Sequence, residues 1–408
     1  MEKIEDLENQ YGKPDILIDS SNSNSSRYAI WGFDEVFKIY KNSSYLNDKL
    51  ISGEPLENFQ KIITKWKKSD HFISCIGFLS YELNEIIYNH LNFKKRLKEN
   101  DFPLLWFCKP KLIREYKLDY SYQSDSQMAL KKIDDIIDYN SYSKDIEKIK
   151  NYLKNGDVYQ INYTSHKSFV SNNIDTYDLY KKLRYEIKPK EGFYIHSDDF
   201  DVLSFSPELF LKIKDQKIST FPIKGTRPSS NDNIQDSIYK LDLKNSLKDK
   251  AEHLMIVDLL RNDLGKICRT GSVQVSDLYK IETFKTVHHM VSKVYGQLKD
   301  NISEIEIIKA LFPGGSITGA PKESAMQIIN LLESNKRNIY TGSAGYICKN
   351  GDMYFNICIR TLLKYLDVFE YGIGGGIVWD SNPKDEWEEA NQKNYHMKII
   401  FLYDHQKK

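Results

Sequence analysis

The sequence predicts an α+β fold built on large antiparallel β-sheets. Short apolar segments with strand character occupy most of residues 16–122 and return in the last quarter of the chain. Segments with helical spacing of apolar residues lie between these two regions. Runs of strands separated by helices on a chain of 408 residues are typical of this class.

The N-terminal part is dominated by strand-like segments, of which 28–33 and 72–79 are the clearest. A polar run at 20–26 predicts a loop between two strands, and the charged, weakly patterned stretch 123–140 predicts a connection between lobes. We therefore place a domain boundary there. We expect residues 1–139 to form an N-terminal domain and residues 140–408 a second domain, either closely packed against each other or joined in one structural unit.

The C-terminal part contains three segments with helical spacing. The first, 143–155, ends at Asn155-Gly156, which predicts a glycine C-cap. The second, 250–264, and the third, which begins after the loop 313–321, each carry an apolar stripe. The residues expected to be buried on these two helices are Leu254, Val257, Leu260 and Leu264, and Ala325, Ile328, Ile329 and Leu332. Further strands are predicted at 158–164, 344–347, 353–363 and 368–373.

Composition excludes several classes of function. A net charge of +1 gives no electrostatic reason to bind nucleic acid or an anionic membrane. The five cysteines form no CxxC pair and are expected to be reduced core residues. The N-terminus has no signal-peptide pattern, and no apolar run approaches the ~20 residues that a transmembrane helix needs. We therefore expect a cytoplasmic protein.

Three local patterns are candidates for chemistry. Lys224 lies at the end of an apolar strand, directly before Gly225. It is either a solvated turn residue or a reactive amine. The glycines of 372–376 end another strand and expose backbone N–H groups, either for an anion or for a close strand crossing. Their spacing is not that of a dinucleotide-binding loop. Glu386, Glu389 and Lys393 share one face of a helix-like run, which is either a solvated stripe or a source of ligands for a hard cation such as Mg²⁺.

The order of the motifs resembles that of the chorismate-utilising enzymes. The segments that carry the resemblance are 156–162, 206–210, 222–228, 248–264, 312–322, 359–362 and the glycine strand 372–378. The resemblance is dense over residues 140–398 and thin before them. It implies a fold like that of anthranilate synthase component I, with antiparallel sheets packed as a sandwich and helices on the outside.

Two positions favour one branch of this superfamily. Isochorismate and salicylate synthases carry a lysine base where this chain has Gln160, so the resemblance implies an amine nucleophile instead of water. Anthranilate synthase component I usually lacks a nucleophile where this chain has Lys224. The chain here resembles component I of aminodeoxychorismate synthase, which implies an amino-transfer enzyme that converts chorismate and ammonia to 4-amino-4-deoxychorismate for folate synthesis.

The resemblance also implies roles for individual residues. Lys224 attacks C2 of the ring, Glu208 protonates the leaving hydroxyl, His289 donates a hydrogen bond near the leaving group, and Thr318 lies in the substrate loop. The implied substrate-binding residues are Arg360, Lys393, Gly374, Gly375, Gly376 and Gln160. Mg²⁺ is expected on Glu252 and Glu389, with Glu386 in the same shell. Arg227 is a candidate for the cation that lowers the pKa of Lys224.

The sequence also bears on binding partners and on alternative functions. No cysteine has the surroundings of a glutaminase nucleophile, so a separate glutaminase subunit is expected to supply ammonia. Ser20, Arg27 and Tyr28 resemble part of a tryptophan pocket; the alternative is an edge strand and a polar loop. Two other functions remain open, anthranilate synthase component I and a catalytically silent binding relative, although the expected catalytic residues are present.

Overall fold

The computed structural model describes residues 2–21, 26–94, 102–117, 130–135, 137–171, 174–230, 232–283 and 287–392, without the side chains of 131–135 and 392. Strands and helices are mixed, and all strand pairings in these ranges are antiparallel except that of the first strand with the seventh. The predicted α+β class with large antiparallel sheets is confirmed. None of the helices in the described ranges combines the length and apolar character that a membrane crossing requires.

The N-terminal third contains seven strands and three helices within the described ranges. The strands are β1 (Glu2–Lys3), β2 (Ile16–Asp19), β3 (Tyr28–Tyr40), β4 (Ser43–Leu46), β5 (Lys49–Ile51), β6 (Ile73–Leu79) and β7 (Leu105–Lys117). The helices are α1 (Ile4–Tyr11), α2 (Pro55–Trp66) and the short α3 (Asn84–Ile87).

The rest of the chain supplies the remaining elements. Its strands are β8 (Lys131–Asp135), β9 (Gln160–Val170), β10 (Glu191–His196), β11 (Phe200–Ser206), β12 (Leu209–Lys214), β13 (Lys217–Thr220), β14 (Ile223–Pro228), β15 (Gln274–Thr283), β16 (Val287–Gln297), β17 (Gly319–Ala320), β18 (Ser343–Cys348), β19 (Met353–Asn356), β20 (Thr361–Tyr365) and β21 (Val368–Ile377). Its helices are α4 (Tyr139–Asn155), α5 (Thr176–Ile187), α6 (Asn233–Asn245), α7 (Leu247–Ile267), α8 (Glu304–Leu311), α9 (Lys322–Leu332) and α10 (Pro383–Gln392).

The strands form one continuous hydrogen-bonded series. Starting from β9, the order is β21, β20, β11, β10, β2, β3, β7, β6, β18, β19, β12, β13, β16 and then β14. The N-terminal strands β2, β3, β7 and β6 therefore lie together in the middle of the series, between β10 on one side and β18 on the other. The division at residue 139 stays a prediction.

Local sequence explains where the main helices begin and end. Asp138 accepts a hydrogen bond from Ser141 N at the start of α4, and Gly156 closes that helix in the left-handed conformation (φ 79°). Ser303 and Glu306 form a reciprocal capping box on α8. The largest core cluster packs Ile146, Ile256 and Ile328, from three different helices, with buried residues of the sheet. Helices therefore cover the sheet with their apolar stripes, as expected.

Most predicted elements are confirmed, with two corrections. Leu254, expected to be buried, is 48% exposed, whereas Val257, Leu260 and Leu264 are buried. The strand expected at 353–363 is interrupted, because residues 357–360 leave the sheet between β19 and β20. The five cysteines are buried and unpaired, as predicted. Residues 22–25 of the loop 20–26 lie outside the described residues, as do 123–129 and 136 of the connection 123–140. The rest of that connection contains strand β8 and the start of α4.

Candidate active site

Lys224 lies on β14, at one end of the hydrogen-bonded series of strands. The pairing with β16 shifts between Lys224 and Thr226, where Gly225 adopts a positive φ of 74°. A Cβ atom at Gly225 would lie 2.8 Å from Leu243 Cδ1 of α6, so only glycine fits this bulge. The local sequence thus produces an irregular strand that is held against a helix.

The amine of Lys224 lies close to the glycine strand β21, although β14 and β21 are far apart in the order of the strands. A Cβ atom placed on Gly376 would lie 3.3 Å from Lys224 Nζ and 3.0 Å from Gln160 Nε2. The positive charge of Lys224 also lowers the pKa of Glu208 and of Glu252, so both carboxyl groups lie within electrostatic reach of the amine. The structure therefore brings together five separate parts of the sequence: the amine of Lys224, the carboxyl groups of Glu208 and Glu252, the amide of Gln160 and the glycine backbone at Gly376.

Glu208 has the environment of a proton donor. Its side chain is buried, and burial raises its pKa to about 7, although a hydrogen bond from Ser316 and the charge of Lys224 act in the opposite direction. Ser316 Oγ donates to Glu208 Oε1 at 2.9 Å. A carboxyl group that titrates near neutrality can both give up and recover a proton at neutral pH.

The side-chain amide of Gln160 lies beside Gly376 and has no hydrogen-bond partner among the described residues. The residue is completely buried, and neither Oε1 nor Nε2 makes a hydrogen bond to the described residues. An unsatisfied buried amide costs free energy, so such a group is expected to be satisfied by water or by a ligand. Its position beside Gly376 and Lys224 makes it a candidate substrate contact.

Arg360 is a partly buried arginine that makes no ion pair with any carboxylate in the described part of the chain. It is the last residue of the interruption between β19 and β20 and adopts a positive φ of 51°, which is unusual for arginine. Desolvation lowers its pKa. Such an arginine is suited to a planar carboxylate from outside the protein.

His289 and Thr318 make hydrogen bonds within the protein. His289 Nδ1 and Thr226 Oγ1 are 3.0 Å apart, and burial, with the charges of Arg360 and Lys190, lowers the pKa of His289 to about 4. The imidazole is therefore neutral at neutral pH. Thr318 is fully buried, and its hydroxyl donates to Gly314 O at 3.0 Å, so it shapes the glycine loop.

The expected metal ligands come from two helices. Glu252 lies on α7, and burial raises its pKa; Glu386 on α10 raises it further, so the two carboxyl groups are near each other. Glu386 accepts a hydrogen bond of 2.7 Å from Ser381, and Glu389 is exposed on the same helix. Within the described ranges no group of three or more His, Cys, Asp or Glu side chains is preassembled for a metal. Two neighbouring carboxylates fit Mg²⁺, which commonly keeps several waters.

The remaining predicted residues lie elsewhere or outside the described ranges. Lys393 is outside them. Ser20 Oγ donates to Lys190 O at 2.6 Å, Arg27 Nε donates to Ser20 O at 2.7 Å, and Tyr28 packs edge-on against Tyr346. These contacts place the three residues of the predicted tryptophan pocket together near β10, and ligand binding there stays a prediction.

Sequence reasoning missed two contributors. Ser316 was part of a motif without an assigned role, and nothing local indicates its bond to Glu208. His253, next to Glu252, is fully buried, with Nε2 2.7 Å from Ser292 Oγ; nothing in the sequence indicates its proximity to Lys224. Arg227 pairs with Asp242 at 2.5 Å and with Asp249 at 3.0 Å, and its effect on the Lys224 amine stays a prediction.

A small cleft is lined by residues of β9, of β21 and of the segment 333–340. Its lining includes Thr361, directly after Arg360, Gly372 of the glycine strand, and Tyr340, whose ring covers Gly372. None of Lys224, Glu208 and Glu252 lines it, so this cleft is not formed by the proposed reactive groups.

Comparison with known proteins identifies the family of this chain. The family model described as chorismate binding enzyme matches residues 13–398. A relative from Bacillus subtilis, aminodeoxychorismate synthase component 1, is 42% identical over 259 residues, which are 63% of this chain and 55% of the relative. One from Saccharolobus solfataricus, anthranilate synthase component 1, is 40% identical over 64% of this chain and 62% of its own length. The matched region thus spans little more than half of these relatives.

Solved structures share the overall fold. Anthranilate synthase component I from Streptococcus pneumoniae superposes with a TM-score of 0.80 and 25% identity over 92% of each chain. The isochorismate synthase MenF from Escherichia coli superposes with a TM-score of 0.72 over 95% of this chain and 88% of its own, at 15% identity. The second likeness concerns the fold alone, whereas the first confirms the expected resemblance to anthranilate synthase component I.

Proposed function

This chain belongs to the chorismate-binding enzymes, and we propose that it transfers the nitrogen of ammonia to C4 of chorismate to form 4-amino-4-deoxychorismate. The observation that carries the proposal is the placement of the Lys224 amine beside Glu208, a buried acid whose pKa is about 7. A nucleophile and a proton donor on the same substrate face are what replacement of a hydroxyl group requires.

The proposed reaction has two displacements. The neutral amine of Lys224 attacks C2, the ring double bonds shift, and the C4 hydroxyl takes the proton of Glu208 and leaves as water. Ammonia then adds at C4, the double bonds shift back, and the C2–N bond breaks with its electron pair returning to Lys224. The new C4 nitrogen gives its extra proton to Glu208. One hydroxyl is replaced by one amino group, with one water formed.

The other residues bind and orient the substrate in this proposal. Arg360 pairs with a substrate carboxylate, and the backbone N–H groups of 374–376 and the free amide of Gln160 contact the substrate beside Lys224. Glu252, Glu386 and Glu389 would hold Mg²⁺, which supplies positive charge next to a substrate carboxylate. The naming of the relatives as component 1 supports a second component, and in this proposal a glutaminase subunit would supply the ammonia.

The second candidate is anthranilate synthesis, which the Saccharolobus solfataricus relative and the Streptococcus pneumoniae structure support by name. In that reaction ammonia itself adds at C2 and pyruvate is eliminated. A lysine amine in the position of Lys224 competes with ammonia for C2, which favours the 4-amino product. Product identity therefore separates the two functions.

The decisive experiment combines product analysis with intact-protein mass spectrometry. The purified chain is incubated with chorismate, Mg²⁺ and an ammonium salt, and products are identified by mass spectrometry. In a parallel sample without ammonium, an adduct on Lys224 with the mass of chorismate minus water is expected. Lys224→Ala should lose the adduct and the 4-amino product. Lys217→Ala, which removes an exposed lysine of β13, is the control. Release of anthranilate by the unaltered chain would refute the proposal.

A further inference from the structure

Lys190 lies beside the segment that carries the proposed proton donor. The residue directly precedes β10, whose first residue, Glu191, is paired with Ser206 of β11. Ser206 Oγ in turn accepts a hydrogen bond of 3.1 Å from Glu208 N. The carbonyl oxygen of Lys190 accepts a hydrogen bond of 2.6 Å from Ser20 Oγ, which holds its backbone in place. The main chain of Lys190 is therefore fixed close to Glu208.

The side chain of Lys190 extends toward a second residue of the site, His289. Lys190 Nζ lies 3.8 Å from Glu282 Oε2 of β15, and Glu282 is directly opposite His289 in the ladder of β15 and β16. Opposite residues of an antiparallel pair point to the same face, with Cβ atoms about 5 Å apart. Burial raises the pKa of Glu208 to about 7 and lowers that of His289 to about 4, and the positive charge of Lys190 acts to lower both. Backbone, side chain and charge thus all place Lys190 at the proposed active site.

The ion pair of Lys190 is long and shared. Glu282 Oε1 also lies 3.7 Å from Lys280 Nζ, so one carboxylate serves two lysines. Both distances exceed the range of about 2.7–3.2 Å for an N–H···O hydrogen bond. Lys190 and Glu282 are only partly buried and Lys280 is exposed, and such pairs contribute little to stability. The flexible lysine stem can therefore carry the Lys190 amine to another anion while Glu282 keeps Lys280 as its partner.

We propose that Lys190 is a further substrate-binding residue, whose amine leaves Glu282 and pairs with a carboxylate of the entering substrate. The inference rests on the proposed function, which supplies chorismate as that substrate. Chorismate carries two carboxylate groups, and Arg360 can form a bidentate pair with only one of them. The charge of Arg360 also reaches His289, so both cations lie near one imidazole. A dianion that enters a partly buried site loses solvation, and each additional cation offsets part of that cost.

The test compares four substitutions around this ion pair: Lys190→Met, Lys190→Arg, Glu282→Gln and Lys280→Met. Isothermal titration measures the affinity for chorismate in a Lys224→Ala background, in which no lysine adduct forms. KM and kcat for consumption of chorismate with Mg²⁺ and ammonium are measured in chains that retain Lys224. Thermal unfolding of each variant shows that the fold is kept.

Removal and release of the Lys190 amine should have opposite effects. Lys190→Met should weaken chorismate binding about ten-fold, and KM should rise more than kcat falls. Lys190→Arg should stay within about three-fold, because arginine also pairs with carboxylates. Glu282→Gln should tighten binding about two- to five-fold, since it frees the amine and removes a negative charge near the substrate. Lys280→Met removes the same charge beside the same acid and should change affinity by less than about two-fold.

Three results would overturn the role of Lys190. Unchanged affinity of Lys190→Met would exclude contact with the substrate. Equal weakening by Lys190→Met and Glu282→Gln would mean that the ion pair only supports the fold, because each substitution breaks the same pair. Equal weakening by Lys190→Met and Lys280→Met would mean a general effect of charge. If the chain binds chorismate but releases anthranilate, the proposed function fails and the affinities still decide the role of Lys190; if the unaltered chain neither binds nor consumes chorismate, both fail.

Discussion

Ser316 Oγ donates a hydrogen bond of 2.9 Å to Glu208 Oε1, across 108 residues of sequence. The donor lies in the glycine loop before α9, and the acceptor lies between β11 and β12. This contact opposes the effect of burial, because a hydrogen bond to the carboxylate favours its charged form. The loop therefore adjusts the acidity of the proposed proton donor.

Ser316→Ala should move the alkaline limb of the pH–rate profile to higher pH. Removing the donor raises the pKa of Glu208 above about 7, so the acid stays protonated over a wider range. Loss of one hydrogen bond to a charged group corresponds to a shift on the order of one pH unit. Ser316→Thr keeps the hydroxyl and is the control. A limb that stays in place in the alanine variant would assign it to a group other than Glu208.

Glu208→Gln should abolish turnover and stabilise the protein at high pH. A glutamate in the unfolded chain titrates near 4.5, but Glu208 titrates near 7, so the native state binds more protons between these values and stability falls as pH rises through this window. The variant should gain roughly 3 kcal/mol at most at pH 8, at about 1.4 kcal/mol per pKa unit, and nothing at pH 4. Urea unfolding at both pH values measures this.

Glu306→Gln is the control for the stability effect. Hydrogen bonds from Ser303 lower the pKa of Glu306, so its charged form favours folding and its replacement should reduce stability at neutral pH. If Glu208→Gln were no more stable than the unaltered chain at pH 8, Glu208 would not be a desolvated acid.

Arg360→Ala should weaken chorismate binding without weakening the fold. Because the partly buried guanidinium of Arg360 has no carboxylate partner in the described residues, its removal leaves no unpaired acid, whereas a substrate carboxylate loses charge-assisted hydrogen bonds. KM should rise about 10- to 100-fold, from ~1.5–3 kcal/mol for hydrogen bonds to a charged group. Steady-state kinetics and thermal unfolding measure the two effects.

Arg184→Ala provides the contrast for Arg360. Arg184 is buried and lies 3.3 Å from Asp19, so its loss strands a buried carboxylate and should cost about 3–5 kcal/mol of stability. Equal destabilisation by the two variants would mean that Arg360 has a structural role.

Gly376→Ala should lower kcat with little effect on thermal stability. The added methyl group would approach Gln160 Nε2 and Lys224 Nζ, which are ends of flexible side chains, so the fold can adjust but the amine is displaced. A displacement of about 1 Å can cost on the order of 100-fold in rate. Gly374→Ala is different, because its Cβ would lie 2.5 Å from the backbone oxygen of Tyr163 and should destabilise the sheet. A fully active Gly376→Ala enzyme would contradict the proposed position of the substrate.

Much of this protein follows from its sequence by itself. Apolar alternation and caps are local, so they predicted the α+β class and helices such as α4 with its end at Gly156. The ordered motifs likewise indicated the family and singled out Lys224 and Glu208. Side-chain types and their spacing were sufficient for these conclusions, because each depends on residues that are neighbours in the chain.

Tertiary structure alone decided which groups meet. Lys224 lies on β14 and Gly376 on β21, and these strands are far apart in the order of the hydrogen-bonded series. Their proximity therefore depends on the three-dimensional arrangement of the whole sheet. The hydrogen bond between Ser316 and Glu208 depends on the same arrangement. So does the buried amide of Gln160, which has no hydrogen-bond partner among the described residues. Such contacts join segments a hundred or more residues apart, and no local propensity records them, since burial and electrostatics arise only after the sheet and its helices have packed together.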